Sequence, residues 1–164
     1  MRNPKTTWEN NRKNINEMHW LHLRLEGMVP TLDLSDILRS EYVLIVSAFD
    51  CYLHDVVLQG MSDMFSGTRV EVNNFKDFCI PMSTVKQLLA TSDISVREDI
   101  YNASVKKILS KDSYQSPKSV EFALSMVNLT KAWSKIGQKI GMKAEDVRTK
   151  LGLIILRRNK IAHE

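Results

Sequence analysis

From Asp36 to Phe65 the chain has no proline and a single glycine, and apolar residues return every three or four positions as Leu38, Tyr42, Ile45, Phe49, Leu53 and Val56. That period belongs to a helix and not to a strand, so the segment must form one long helix that seeks partners on its apolar side. The end of the chain has the same character. Val147, Leu151, Ile154, Arg158 and Ile161 share one stripe at about 100° per residue, with Ile155 and Ala162 at its edge. The two stripes are expected to meet in one core containing Tyr42, Ile45, Phe49, Leu53, Val147, Leu151 and Ile154.

The remaining segments fit the same architecture. Thr7 to Glu26 carries Trp8, Ile15, Met18, Leu21 and Leu25 at helical spacings and stops at Gly27. "VPTLDLSD" reads as a linker in which Asp33 or Ser35 caps the long helix. "SGTRVEVNNFKDFCIP" reads as an irregular connection, with room for no more than a small hairpin near Val70 to Val72. Ser83 is placed to cap a short helix through Leu89, Ser95 or a neighbour to start one through Leu109, and Pro117 to be a first helical residue. Helices then cover roughly Val120 to Ile140 and Ala144 to the end, separated by Gly141. The expected fold is an all-α bundle of about five to seven helices in one domain spanning residues 1–164.

Composition narrows the class further. A chain that is 43% hydrophobic can bury a core and is not a disordered segment. The longest apolar run, Tyr42 to Phe49, includes Ser47 and is too short to span a bilayer. "MRNPKTTWENNRKN" has no signal-peptide core, so a cytoplasmic setting with no membrane partner and with Cys51 and Cys79 reduced is expected. A net charge of +4 and a pI of about 9.1 point mildly to a polyanionic partner.

The chemistry concentrates in "RRNKIAHE". Arg158 sits in the middle of an apolar face, where an unpaired charge is costly, so it is expected to be mostly buried against a carboxylate, with Asp50 or Asp55 best placed. Arg157, Lys150 and Lys160 lie on another side and read as a solvated basic face. His163 lies about 140° around from Arg158, on a stripe with Gly152, Leu156 and Asn159 that suits a second helix or a second subunit. A guanidinium grips phosphate oxygens, and an imidazole moves protons near neutrality. The blander reading is that a cation and a histidine near a helix C-terminus complement its dipole.

A second group lies on the long helix. Asp50 and His54 are four apart, flanked by Val43, Val57 and Met61. Asp50 could orient His54, or either could meet Arg158; the alternative is a local ion pair worth a few tenths of a kcal/mol. His19/His22 and Asp50/His54 offer metal ligands, but no third or fourth ligand follows at a telling spacing, so no metal or cofactor is expected.

The two segments together resemble the HEPN superfamily of α-helical ribonucleases. "RRNKIAHE" is similar to the family's Arg-x4-6-His signature with a polar residue after the Arg. "YVLIVSAFDCYLHDVV" and "AWSKIGQKIGMKAEDVRTKLGLIILRRNKIAHE" are similar to the early helix and the ending of the RiboL-PSP-HEPN branch. The resemblance spans about Leu32 to Glu164. It implies a HEPN-like homodimer whose paired motifs cleave RNA without metal, the 2′-OH acting as nucleophile. By position, Arg158 would stabilise the phosphorane, His163 would act as general acid or base, and Asn159 would orient the phosphate or the His. Asp50, His54, Asp55, Arg157 and Lys160 would support the site or bind substrate. The implied setting is toxin–antitoxin or antiviral defence, with an antitoxin or additional domains as further partners. In the family the motif helix usually continues past the His, whereas here only Glu164 follows, so the domain is either a short variant or the N-terminal part of a longer protein.

Other classes compete with this. A catalytically inactive HEPN-like module serving dimerisation or nucleotide and RNA binding fits the same residues. A helix-turn-helix DNA reader is suggested by "WSKIGQKIGMKAEDVRTKL" with Lys143, Arg148 and Lys150, although its second helix is too apolar for a groove.

Overall fold

The computed structural model describes residues 3–29 and 31–163. Eight helices and no strand occur among them: α1 (Pro4–Met28), α2 (Ser35–Phe65), α3 (Asn73–Lys76), α4 (Met82–Leu89), α5 (Ile94–Leu109), α6 (Pro117–Ser125), α7 (Ala132–Ile140) and α8 (Ala144–His163). The protein is all-α. The count exceeds the expected five to seven because α3 is a single turn inside the connection read as irregular and the helix expected over Val120 to Ile140 is divided into α6 and α7.

The helix ends follow local chemistry. The Ser116 hydroxyl accepts from the Ser119 amide while the Ser119 hydroxyl accepts from the Ser116 amide, and Pro117 opens the helix behind this reciprocal cap. Asp93, not Ser95, caps α5, accepting from the amides of Ser95 and Val96. Ser83 is an internal residue of α4, which starts after Pro81 without a side-chain cap. Gly141 ends α7 at φ 68°, a conformation that costs other residues more. Between α6 and α7 the chain breaks at 126–131, where continuous helix had been expected. Asn128 and Lys131 both take positive φ there, 59° and 58°.

α2 is the central element, packing against α1, α5, α6 and α8. By length and composition alone it could cross a membrane, with a mean hydropathy of 1.3 over its most apolar 18 residues. Its buried positions are Val46, Ala48, Leu53, Val57, Gly60, Met61, Ser62 and Met64. That stripe is rotated from the expected one. Tyr42, Ile45, Phe49 and Val56 are half-buried, and Leu38 is exposed. The rotation arises because α2 is apolar on several sides, so packing of α1 on one side and of α5, α6 and α8 on another decides which face is fully covered. Val57, Met61, Val105 and Val127 lose all contact with solvent, each contributing roughly 1.5–3 kcal/mol. Phe65 stacks on Tyr101 with centroids 4.0 Å apart, tying the end of α2 to α5. On α8, Val147 and Ile155 are buried and Leu151 is half-buried, whereas Ile154 is 41% exposed. Ile155 therefore takes the core place assigned to Ile154.

Gly60 makes a close approach possible. A Cβ there would run into the side chain of Val127, whose carbonyl accepts from the Arg69 guanidinium. Arg69 thereby satisfies a backbone acceptor in the break between α6 and α7.

Candidate functional site

The basic end of α8 is built on a helix with well-placed charges. Glu145 and Asp146 stand in its first turn, and Lys160 and His163 in its last, each opposing the nearer dipole end. Arg158 follows Ile155 by three positions and so stays on the inward side, half-buried. Its Nη1 donates to Asn159 Oδ1 at 3.1 Å, and its Nε is buried without a hydrogen-bond partner. No carboxylate among the described residues forms an ion pair with it, so the expected contact with Asp50 or Asp55 is absent. Arg157, Asn159, Lys160 and His163 are exposed, and His163 points away from Arg158 around the helix. Leu153, Ile154 and Leu156 are also exposed, at 60%, 41% and 54%. Gly152 faces the chain's own α6, since a Cβ there would lie 3.6 Å from Pro117 Cγ. The side of α8 left open to another molecule therefore begins beyond Gly152.

Asp50 has a different occupation from the expected contact with Arg158. One carboxylate oxygen accepts from the backbone amide of Tyr114 at 2.7 Å, and the other from Gln115 Nε2 at 3.2 Å. His54 Nε2 is 3.8 Å from the first oxygen, and its ring packs on Tyr114 with centroids 4.4 Å apart. Asp50 and His54 thus clamp the connection between α5 and α6 onto α2. Burial first, then Asp112 and Asp50, push the Tyr114 phenol up to about 12. Burial alone raises Tyr101 to about 12. A cleft of 390 Å³ opens beside the clamp, lined among others by Asp50, His54, Asp55, Lys106, Leu109 and Asp112. One oxygen of Asp55 is buried there without a hydrogen-bond partner.

His19 and His22 lie on α1. His19 Nδ1 is 3.1 Å from Glu41, and His22 is buried 3.9 Å from Glu26. Among the described residues no set of three or more His, Cys, Asp and Glu is arranged to hold a metal ion. Cys51 and Cys79 form no disulfide.

The charge distribution is a feature that the sequence reading missed. Residues 1–99 hold 10 Lys and Arg against 14 Asp and Glu, while residues 100–164 hold 13 against 5. A net +4 therefore conceals a front part at −4 and a back part at +8. Counting the charges by segment instead of over the whole chain would have found it. The candidate residues divide accordingly, with the Arg158 group on the basic part and the Asp50 group on the acidic part.

The all-α bundle thus carries a cation, an amide and an imidazole at the end of one basic helix. No family model, curated protein or solved structure matches the chain.

Proposed function

We propose that the chain is a metal-independent endoribonuclease of the HEPN type, working as a homodimer in the cytoplasm, in a toxin or antiviral defence setting. The observation that carries this reading is the state of Arg158. Its guanidinium is half-buried, its Nε is unsatisfied, and its recorded partner is the neutral amide of Asn159. A half-buried guanidinium with no carboxylate paired to it among the described residues can take an anion, and a phosphate diester is the anion its planar donors fit. Because Arg158 and His163 diverge on one helix, a second copy facing the exposed Leu153, Leu156 and Asn159 would bring complementary groups onto one phosphate. The α7–α8 pair supports a DNA reader less well, since α8 packs against α2, α6 and α7 within the bundle.

In the proposed reaction the RNA 2′ oxygen bonds to phosphorus as its proton passes to one imidazole. The 5′ oxygen leaves with a proton from the second imidazole, giving a 2′,3′-cyclic phosphate and a 5′-hydroxyl. Arg158 and Asn159 hold the phosphorane oxygens, and Arg157 and Lys160 hold neighbouring phosphates.

The test is cleavage of RNA in the presence of a chelator. Arg158→Ala and His163→Ala are each expected to lower the rate by on the order of a hundredfold or more. Mixing the two variants should restore part of the activity if each site draws on both copies. Cleavage unchanged by His163→Ala would overturn the mechanism. RNA bound but never cleaved would make the domain a noncatalytic RNA-binding module.

A further inference from the structure

We propose that Lys131, Lys135 and Lys139 form a ladder on the outer face of α7 that holds the phosphate backbone of an RNA strand. The inference rests on the reading of the chain as an RNA-processing domain, and it assigns a substrate surface outside the Arg158 group.

Three observations carry it. The first is position. Trp133 and Gly137 are the buried residues of α7; at about 100° per residue Lys135 and Lys139 fall on the opposite side of the helix, and Lys131 stands at its N-cap. All three are exposed, and none takes part in an ion pair among the described residues. Successive members are four apart, so they step about 6 Å along the helix, comparable to the step between neighbouring phosphates on a strand.

The second is electrostatic surroundings. No Asp or Glu occurs from residue 122 to residue 144, a stretch that includes Lys143 as well as the ladder. A solvated helix face ordinarily mixes both signs, which this one does not. The field around α7 is therefore positive in one piece, within the part of the chain whose net charge is +8.

The third is the cost of Lys131. It adopts φ 58° and ψ 31° as the N-cap of α7, and its side chain makes no capping bond. Glycine or asparagine would take that backbone conformation at lower cost, and Ser, Thr, Asp or Asn would cap the helix. Lysine is disfavoured on both counts, which points to a role for its ammonium group.

The partner is a nucleic-acid strand because the ladder is linear and evenly stepped. α7 has 9 residues, so it reaches along two or three phosphates and needs the rest of the basic region to complete a track.

The experiment uses the full chain carrying His163→Ala, which keeps a labelled single-stranded RNA oligonucleotide intact while fluorescence anisotropy reports binding across a salt series. Replacing Lys131, Lys135 and Lys139 together by Ala is expected to weaken binding by roughly tenfold or more at low salt. It should also make the slope of log K against log salt shallower by about 2, since each lost single-strand phosphate contact removes about 0.7. Replacing Lys5, Arg12 and Lys13 on α1 removes the same charge and should leave the slope unchanged. The ladder is overturned by an unchanged slope in the α7 variant, by an equal loss in the α1 variant, by anionic vesicles binding in place of RNA, or by no RNA binding at all. Cleavage by the wild-type chain is scored separately. Cleavage with a ladder variant that binds normally sinks only the ladder, and ladder-dependent binding without cleavage sinks only the nuclease reading.

Discussion

The end of α8 and the cleft along α2 hold the same chemical ingredients, a charged group with an imidazole nearby, and the fold uses them in opposite ways. In the cleft, Asp50 spends both oxygens on the connection between α5 and α6, and His54 packs against Tyr114 at an interplanar angle of 39°. At the end of α8, Arg158 bonds to its neighbour Asn159 and pairs with no carboxylate among the described residues, and His163 stands in solvent. A carboxylate with both oxygens bonded to one connection, as in Asp50, holds structure together, whereas a half-buried cation with a spare donor has binding capacity left over. The motif-like look of Asp50 and His54 in the sequence thus conceals a clamp.

The comparison breaks most visibly in substitutions. His163→Ala should cost RNA cleavage a factor on the order of a hundred to ten thousand and leave the melting temperature nearly unchanged, because the side chain is exposed. Asp50→Ala should do the reverse in kind. It strands the Tyr114 amide and removes a charged acceptor of two bonds, so about 2–3 kcal/mol of stability should be lost in denaturant titration. An Asp50→Ala protein that melts normally but cannot bind or cleave RNA would erase the distinction.

A smaller effect tests how rigidly α8 is mounted. Gly137→Ala would drive a methyl group into the Met142 carbonyl at the turn between α7 and α8. A cost of about 1–3 kcal/mol is expected by calorimetry, accompanied by weaker RNA binding.

Titration sharpens the comparison at both ends of the pH scale. The Tyr114 phenol, held up to about 12, keeps its proton more tightly in the folded chain than at the ordinary value of 10.0. Its contribution to stability is therefore complete below pH 10 and is lost as pH rises toward 12. Tyrosinate absorbance from Tyr114 and Tyr101 should appear together with loss of helix by circular dichroism. The smallest effect lies on the acid side. Backbone and side-chain hydrogen bonds from Ser35 hold Asp33 below 3.8, and bonds from Ser95 and Val96 do the same for Asp93. Their contributions are present above 3.8 and fade as pH falls below it, which Asp33→Ala and Asp93→Ala should abolish from the acid limb of a melting profile.

Most of the helix map was legible because it rests on local signals: the three-and-four spacing in α2 and α8, Pro117 behind Ser116, and Gly141 after α7. What escaped was nonlocal or lacked the usual marker. The break at 126–131 contains neither glycine nor proline, and its two left-handed residues are Asn128 and Lys131. The rotation of the α2 stripe depends on which neighbours pack on an almost evenly apolar helix. The partner of Asp50 is a backbone amide 64 residues away, which no spacing rule anticipates. At the candidate site the sequence put Arg158 on an inward stripe as a mostly buried residue paired with a carboxylate, whereas it is half-buried and bonded to Asn159.

Among the described residues α1 makes its substantial contacts with α2, with Trp8 against Tyr52 at 5.7 Å and His19 against Glu41. A helix attached through one interface can detach without dissolving the rest of the bundle. Its amides are expected to exchange with deuterated solvent ahead of those in α2 and α5, as a separate cooperative unit. Detachment would bare the side of α2 that carries Ile45, Ala48 and Tyr52, turning the most apolar helix of the chain into a sticky surface. Deleting α1 should therefore be felt first as self-association at high concentration, with the helices that carry Arg158 and the α7 lysines still folded.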